Sequence, residues 1–228
     1  MEIINVKATF IEGILGTASN NKEIYSDFIA SKAPDAASME EEIAAVGVND
    51  VVENGTTVFP RTDKGPFLYD YQIKGFFKDT CGALSKLTGK DEVTGKKKKA
   101  VNESSKISAY KKVIDGLIFV QPRRIMFKYD GDITICQRPL RGQTAQGERI
   151  ALASSEEIPA GAQIEFRVVC ESAEHVPAVI EWLNHGFWRG IGQWRNSGKG
   201  RFVYEATDQE GNVIGSTMHL MEEYLEIA

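Results

Sequence analysis

Hydrophobic and polar residues alternate along the first segment of the chain, from Ile3 to Ile11. Ile4, Val6, Ala8 and Phe10 would share one face, which is the pattern of a half-buried β-strand. Comparable runs predict further strands over residues 113–120, 123–129, 133–140, 149–153, 162–169 and 202–206. A closing hairpin is expected from a turn at 208–212 and a last strand over 213–221.

Two other segments repeat hydrophobic residues every three or four positions, the spacing of a helix that packs on a sheet. In the first, residues 71–88, the repeating positions are Ile73, Phe77, Cys81, Leu84 and Leu87. In the second, about residues 174–187, they are Val176, Val179, Ile180, Leu183 and Phe187. The order strand, helix, several strands, helix, strand predicts the α+β class with a ferredoxin-like β-α-β-β-α-β core. An all-β barrel would leave both helices unexplained.

The rest of the chain is predicted to be inserted into that core. Residues 1–228 are expected to form a single domain with a helical insertion at about 18–66 and inserted β-hairpins. Short helices are expected over 20–32 and 38–46 within that insertion. A basic, polar loop is expected at about 89–106.

The composition is ordinary for a water-soluble domain, with 42% hydrophobic and 26% charged residues among 228. Cys81, Cys136 and Cys170 lie in apolar segments, which predicts free buried thiols in a reducing compartment. No apolar run is long enough for a membrane span and no signal-peptide pattern is present, so a cytoplasmic protein is expected. No Cys or His pair has ligand spacing, so neither a metal nor another cofactor is expected.

The net charge of −5 is unevenly distributed. Residues 21–55 hold eight acids against two lysines, whereas residues 89–112 hold eight lysines against three acids. Residues 181–201 hold four cations against Glu181. Because local patches decide where a polyanion docks, the acidic total does not exclude nucleic acid.

A glycine-rich loop follows the second helix, from Gly190 to Phe202. It combines glycines, cations and one tryptophan: Gly190, Gly192, Trp194, Arg195, Gly198, Lys199, Gly200 and Arg201. Glycine permits positive φ and close approach of another chain, the cations can pair phosphates, and the indole can stack a base. The segment is either such a phosphate-binding loop or a long, flexible connection. A dinucleotide fingerprint is excluded, because a helix rather than a strand comes before the glycines.

Three further motifs stand in a defined order before this loop. The first strand ends in Ile14-Leu15-Gly16-Thr17, and Lys74-Gly75 opens the first strong helix within residues 70–78. Arg138-Pro139-Leu140-Arg141 is followed by the segment 155–166, which contains Glu156 and Pro159. This order resembles the repeat-associated (RAMP) superfamily of CRISPR effector proteins, although Tyr71 or Gln72 stands where that family has serine.

The resemblance implies RNA recognition by a backbone-type subunit. The expected RNA-binding residues outside the glycine-rich loop are Lys74, Gly75, Lys78, Arg138 and Arg141. Lys74 would favour an anion near the start of the helix, and the two arginines could pair phosphates bidentately. The expected partners are single-stranded RNA and other copies of the chain or related effector subunits, with no membrane. Simpler interpretations are a solvated Lys74, an Arg138 paired with an acid of its own sheet, and a Trp194 packed on its own domain.

Two other functions remain open. A metal-independent endoribonuclease could use His185 as its base, and a protein-interaction or scaffold module of a mobile element would suit the acidic segment 21–55. Asp27 and Asp35 lack the context of an RNA-cleaving acid, and no catalytic residue is predicted. The favoured hypothesis is a non-catalytic subunit that binds single-stranded guide RNA in a sequence-tolerant way.

Overall fold

The fold was obtained as a computed structural model, which describes residues 1–19, 56–90, 97–99, 102–144 and 147–227. The strands are β1 (Glu2–Phe10), β2 (Ile14–Leu15), β3 (Ala18–Ser19), β4 (Thr57–Val58), β5 (Arg61–Thr62), β6 (Gly65–Tyr69), β7 (Thr88–Lys90), β8 (Lys97–Lys99), β9 (Ile118–Gln121), β10 (Arg124–Lys128), β11 (Thr134–Thr144), β12 (Gly147–Ile158), β13 (Gln163–Cys170), β14 (Phe202–Thr207) and β15 (Val213–Ser216). The helices are α1 (Asp70–Leu84), α2 (Glu103–Lys106), α3 (Tyr110–Leu117), α4 (Val176–Arg189) and α5 (His219–Ile227).

The main sheet is antiparallel and has β1 near its centre. Its order is β15-β14-β1-β13-β10-β6-β5, and β9 also pairs with β13. The core elements β1, α1, β9/β10, β13, α4 and β14 therefore follow the order strand, helix, strand, strand, helix, strand. The predicted α+β class is confirmed.

One face of this sheet is buried by α1 and α4. The alternation predicted for β1 is confirmed, since Ile4, Val6, Ala8 and Phe10 are all buried in the main core. Aromatic rings join the two helices, with the centres of Phe77 and Trp182 5.4 Å apart. Such aromatic contacts add to the free energy of apolar burial, which is the main stabilising contribution here.

Helix α2 is held against α4 by polar contacts that the hydrophobic pattern does not reveal. The Glu181 carboxylate accepts hydrogen bonds from the backbone N–H groups of Glu103 and Ser104, at 3.0 and 2.9 Å. The buried Trp182 donates its indole N–H to Ser104 Oγ at 2.9 Å. The two bonds to Glu181 satisfy free N–H groups at the start of α2.

The long hairpin β11–β12 belongs to a second sheet with the order β11-β12-β4-β3, where β2 also pairs with β12. Glu156 anchors it, because its carboxylate accepts from the backbone N–H of Phe59 at 2.8 Å and from Arg61 Nη2 at 2.7 Å. Because β2 follows β1 closely in the chain, its pairing with β12 places the second sheet beside the end of β1.

The first strong helix is shorter than predicted. It ends at Leu84, and Leu87, assigned to its buried stripe, is 50% exposed. The carbonyl oxygen of Leu84 accepts from Nδ2 of Asn102 at 2.9 Å, a distant partner that replaces a further helical turn. Beyond it, Thr88–Lys90 and Lys97–Lys99 pair as antiparallel strands, so part of the predicted basic loop is regular structure.

Two predicted strands begin or end as helices. The predicted strand over 113–120 is wrong for its first half, because α3 extends to Leu117 and only Ile118–Gln121 is a strand. The last predicted strand, 213–221, ends at Ser216 and is followed by α5. Tertiary contacts decide both cases, since apolar runs this short fit either structure.

The helices predicted over 20–32 and 38–46 lie outside the described residues, so the insertion at about 18–66 stays a prediction. No helix among the described residues is long and apolar enough to cross a membrane.

The tight packing of α4 on β14 is testable at Gly186. A Cβ atom there would lie 2.1 Å from the ring of Phe202. We expect Gly186→Ala to lower the free energy of unfolding by about 1–3 kcal/mol through overpacking, as measured by urea denaturation. Gly116→Ala in α3 is the matched control, because a Cβ there meets no atom within 4 Å. Equal stability of the two variants would contradict this packing.

Candidate functional site

The glycine-rich loop uses its glycines for the conformation that the sequence predicted. The φ angles of Gly190, Gly192, Gly198 and Gly200 are +72°, +89°, +86° and +72°. L-residues rarely adopt this left-handed region, although Trp194 also lies there at +53°. The glycines therefore allow repeated reversals of the chain within a short segment.

The loop is closed by contacts between its own ends rather than being an open connection. The backbone N–H of Ile191 donates to the carbonyl of Gly200 at 2.9 Å, and the Ile191 side chain is buried. A Cβ atom at Gly200 would lie 1.9 Å from the Ile191 carbonyl oxygen. Only glycine fits this approach of two backbones.

The closed loop docks on the end of β1 and the residues after it. The N–H of Gly200 donates to the carbonyl of Gly13 at 2.9 Å. Gln193 Nε2 donates to the carbonyl of Gly16 at 2.9 Å and to Thr57 Oγ1 at 3.1 Å. Sequence reasoning did not select Gln193, because a lone polar residue in a loop has no distinguishing pattern.

An open cleft of about 270 Å³ lies between this loop and α1. Three of the predicted RNA-binding residues line it together: Gly75 from α1, and Gly192 and Arg195 from the loop. Tyr69 and Tyr71 also line the cleft. A Cβ atom at Gly75 would have no neighbour within 4 Å, so the helix surface is open at this point.

Asp79 joins α1 to the loop at the cleft. Its Oδ2 atom accepts from Arg195 Nη1 at 2.7 Å and from Arg189 Nε at 3.0 Å. Partial burial alone would raise the pKa of Asp79, but the hydrogen bond from Arg189 and the charge of Arg195 outweigh it and lower that pKa. Sequence reasoning missed Asp79 and Arg189. The one available signal was that Asp79 follows Gly75 by one helical turn.

Lys74 and Lys78 do not line the cleft. The helix begins at Asp70, four residues before Lys74, so Lys74 is beyond its free N–H groups. Lys74 Nζ donates to the carbonyl of Asp115 at 3.1 Å and lies 5.2 Å from the ring centre of Phe119. Lys78 forms an ion pair with Asp115 at 2.5 Å. Both lysines instead connect α1 to the end of α3.

Arg138 is buried and bound to protein groups, neither of them an acid. Its guanidinium donates to Ser155 Oγ at 3.1 Å and to Gln193 Oε1 at 2.6 Å. Its carbon Cζ lies 5.5 Å from the ring centre of Trp194. Arg138 therefore supports the docked loop from β11, while the side chain of Arg141 lies outside the described part of the chain.

The remaining two loop cations are also engaged away from the cleft. Lys199 pairs with Glu157 at 2.6 Å, and although burial opposes it, this hydrogen bond raises the pKa of Lys199. Arg201 Nε donates to the carbonyl of Phe187 at 2.6 Å, and its guanidinium lies 5.2 Å from the ring of Tyr224 in α5. Trp194 is 39% exposed.

His185, the candidate base of an endoribonuclease, is half-buried in α4. Burial first, and the charge of Arg189 second, lower the pKa of His185. No group of three His, Cys, Asp or Glu residues able to hold a metal occurs among the described residues. Asp27 and Asp35 lie in 20–55, outside those residues.

Comparison with known proteins finds a similarity to solved structures but no matching family model. No family model and no curated protein match the chain. It is similar to a chain in the cryo-EM structure of the Type III-B Cmr-beta bound to cognate target RNA, with a TM-score of 0.47 and 12% identity. The match covers 91% of this chain and 60% of the Cmr-beta chain. This chain therefore spans less than two thirds of the length of the Cmr-beta chain. Membership of the RAMP superfamily stays a prediction.

The docked loop predicts a difference between two glycines that both have positive φ. We expect Gly200→Ala to lower the free energy of unfolding by about 3 kcal/mol, from left-handed strain and the clash with the Ile191 carbonyl. Gly211→Ala should lower the free energy of unfolding by only about 1–2 kcal/mol, since a Cβ atom there meets nothing within 4 Å. Chemical denaturation compares the two, and equal losses would contradict the close approach.

Proposed function

We propose that this chain is a non-catalytic RNA-binding subunit of a CRISPR-type or related ribonucleoprotein. It holds single-stranded RNA in the cleft between α1 and the glycine-rich loop. The observation that carries the proposal is the meeting of Gly75, Gly192 and Arg195 in one open cleft, although they come from distant parts of the sequence.

The cleft offers the groups that a single strand of RNA requires. Gly75 leaves the α1 wall of the cleft without a side chain, since a Cβ atom there would meet nothing within 4 Å, so that a sugar–phosphate backbone can approach closely. Arg195 supplies a guanidinium on the cleft wall, suited to phosphate. The rings of Tyr69 and Tyr71 stack on each other 5.2 Å apart, and the Arg123 guanidinium lies 5.6 Å from the ring centre of Tyr71. The Trp194 ring of the loop is 39% exposed, and base stacking on such a ring is tolerant of sequence.

Sequence-tolerant binding is also supported by Gln72, an amide side chain that lines the cleft and hydrogen-bonds within the protein. Gln72 Nε2 donates to Thr17 Oγ1 at 2.7 Å, and Gln72 Oε1 accepts from the N–H of Tyr69 at 2.9 Å. These internal bonds leave Gln72 poorly placed to read base edges. Recognition would then rest on phosphate charge and stacking, as in proteins that bind single strands without sequence preference.

The same proposal includes the organisation and partners expected from the sequence. Residues 1–228 would act as one domain with an insertion at about 18–66, and copies of the chain or related effector subunits would assemble along one RNA strand. The predicted contacts Trp194, Gly190, Gly198 and Gly200 would form or support the loop side of that path.

A scaffold function without RNA is the second candidate, and a specific observation favours it. Each cation of the glycine-rich loop already has a partner inside the protein: Asp79 for Arg195, Glu157 for Lys199 and the Phe187 carbonyl for Arg201. If the three cations served only to stabilise the fold, these internal contacts would be enough to explain why they are present.

RNA binding by the full chain separates the candidates. We expect fluorescence anisotropy with a labelled single-stranded RNA of mixed sequence to show binding that weakens steeply as salt rises, because counterions are released. Arg195→Gln should weaken binding about tenfold, since a hydrogen bond to a charged group contributes about 1.5 kcal/mol. Lys74→Gln is the control with the same loss of charge, and we expect it to resemble wild type.

Each contrary outcome has a defined meaning. Failure of the folded wild-type chain to bind RNA at low salt would favour the scaffold. A larger loss for Lys74→Gln than for Arg195→Gln would place the RNA on the α1–α3 side instead of in the cleft. RNA cleavage in the presence of a chelator, abolished by His185→Gln, would establish the endoribonuclease.

A further inference from the structure

Arg189 and Arg195 converge on one oxygen atom, although they belong to different elements. Arg189 is the last residue of α4, and Arg195 begins the short turn Arg195–Ser197 of the glycine-rich loop. Both donate to Oδ2 of Asp79, at 3.0 and 2.7 Å. Two guanidinium charges thus share a single carboxylate, and the trio keeps a net charge of about +1.

The trio stands between two surface depressions. Asp79 and Arg195 line the cleft that also contains Gly75. Arg189 and Arg195 also line a second depression, of about 350 Å³, together with Trp194. A strand that passed from the tyrosine side of the cleft to Trp194 would cross both arginines.

We propose that Arg189 and Arg195 form one phosphate-binding site, and that the carboxylate of Asp79 occupies the phosphate position in the RNA-free chain. This inference rests on the proposed function and deepens it. A phosphodiester carries the same single charge as a carboxylate and presents two oxygens to guanidinium donors. Asp79 is therefore a built-in competitor that sets how tightly RNA binds.

Exchange of the two anions requires little rearrangement. The side chains of Arg189, Arg195 and Asp79 are 31%, 25% and 36% exposed, so water reaches all three. Contact with water weakens such ion pairs, so a second anion can compete for the two guanidinium groups. Arg189 is also held by Asn196, whose Oδ1 accepts from Nη1 at 3.0 Å, which keeps the guanidinium in place when the carboxylate moves away.

The first test removes the competitor's charge. We expect Asp79→Asn to bind the labelled single-stranded RNA about fivefold more tightly than wild type at low salt, the equivalent of about 1 kcal/mol. Glu165→Gln is the matched control. It makes the same change of charge on the sheet face away from α1 and α4, where Glu165 pairs with Lys128 at 2.8 Å, and its affinity should equal that of wild type.

The second test removes Arg189, which lies outside the glycine-rich loop. We expect Arg189→Gln to weaken binding and to reduce the slope of log affinity against log salt by about 0.7, the value for one phosphate of a single strand. A merely structural Arg189 would leave that slope unchanged. Arg167→Gln, an exposed arginine of β13 on the opposite face, is the control and should keep the wild-type slope.

The outcomes keep this inference separate from the proposed function. If wild type and Asp79→Asn both fail to bind RNA, the proposed function is wrong. If wild type binds but Asp79→Asn binds equally or more weakly, the competitor role of Asp79 is overturned. Should Asp79→Asn fail to fold in a thermal melt, the salt slope of Arg189→Gln decides, and an unchanged slope rejects the two-arginine site.

Discussion

The contact between the glycine-rich loop and the segment that follows β1, residues 13–16, determines the arrangement of the rest of the candidate site. The backbone N–H of Gly200 donates a hydrogen bond to the carbonyl of Gly13, and the side-chain amide of Gln193 donates one to the carbonyl of Gly16. Glycine is required at position 200 because a Cβ atom there would lie 1.9 Å from the Ile191 carbonyl oxygen. The contact brings the α4–β14 connection against the N-terminal strands, and the cleft exists because α1 passes beside that junction.

Electrostatics within the fold explain how an acidic chain can carry a cationic loop. Asp79 and Glu157 lie next to loop cations, at 2.7 Å from Arg195 and 2.6 Å from Lys199. Pairing of this kind removes the repulsion that clustered cations would otherwise cause. It also means that the charge offered to a ligand depends on which acids stay paired, and the net charge of −5 contains no information on that point.

The end of the chain changes the role of one predicted contact. Tyr224 of α5 donates to Glu12, and with Leu220 and Met221 it covers Ile11, Phe187 and Val203. Arg201 lies beneath this helix, against the rings of Phe187 and Tyr224. A cation that looks available in the sequence is thus a packing element, since guanidinium groups stack well on aromatic faces.

The sequence by itself determined the parts of the fold that depend on local periodicity and on glycine. The buried face of β1 and the positions of α1 and α4 follow from residue spacing, and the glycines of the loop permit the positive φ angles that it adopts. The secondary structure of short apolar runs such as 113–120 could not be determined from the sequence. Such runs suit a strand or a helix equally, and tertiary packing decides which of the two forms.

Only the tertiary structure decided which cations face the cleft. Lys74 and Gly75 are neighbours in sequence, yet one contacts α3 and the other lines the cleft, because successive residues of a helix point about 100° apart. Arg138 looks like a surface cation on its strand but is buried against Gln193. Pairing between distant residues, such as Asp79 with Arg189, depends on how α1 and α4 pack, and no local pattern encodes that distance.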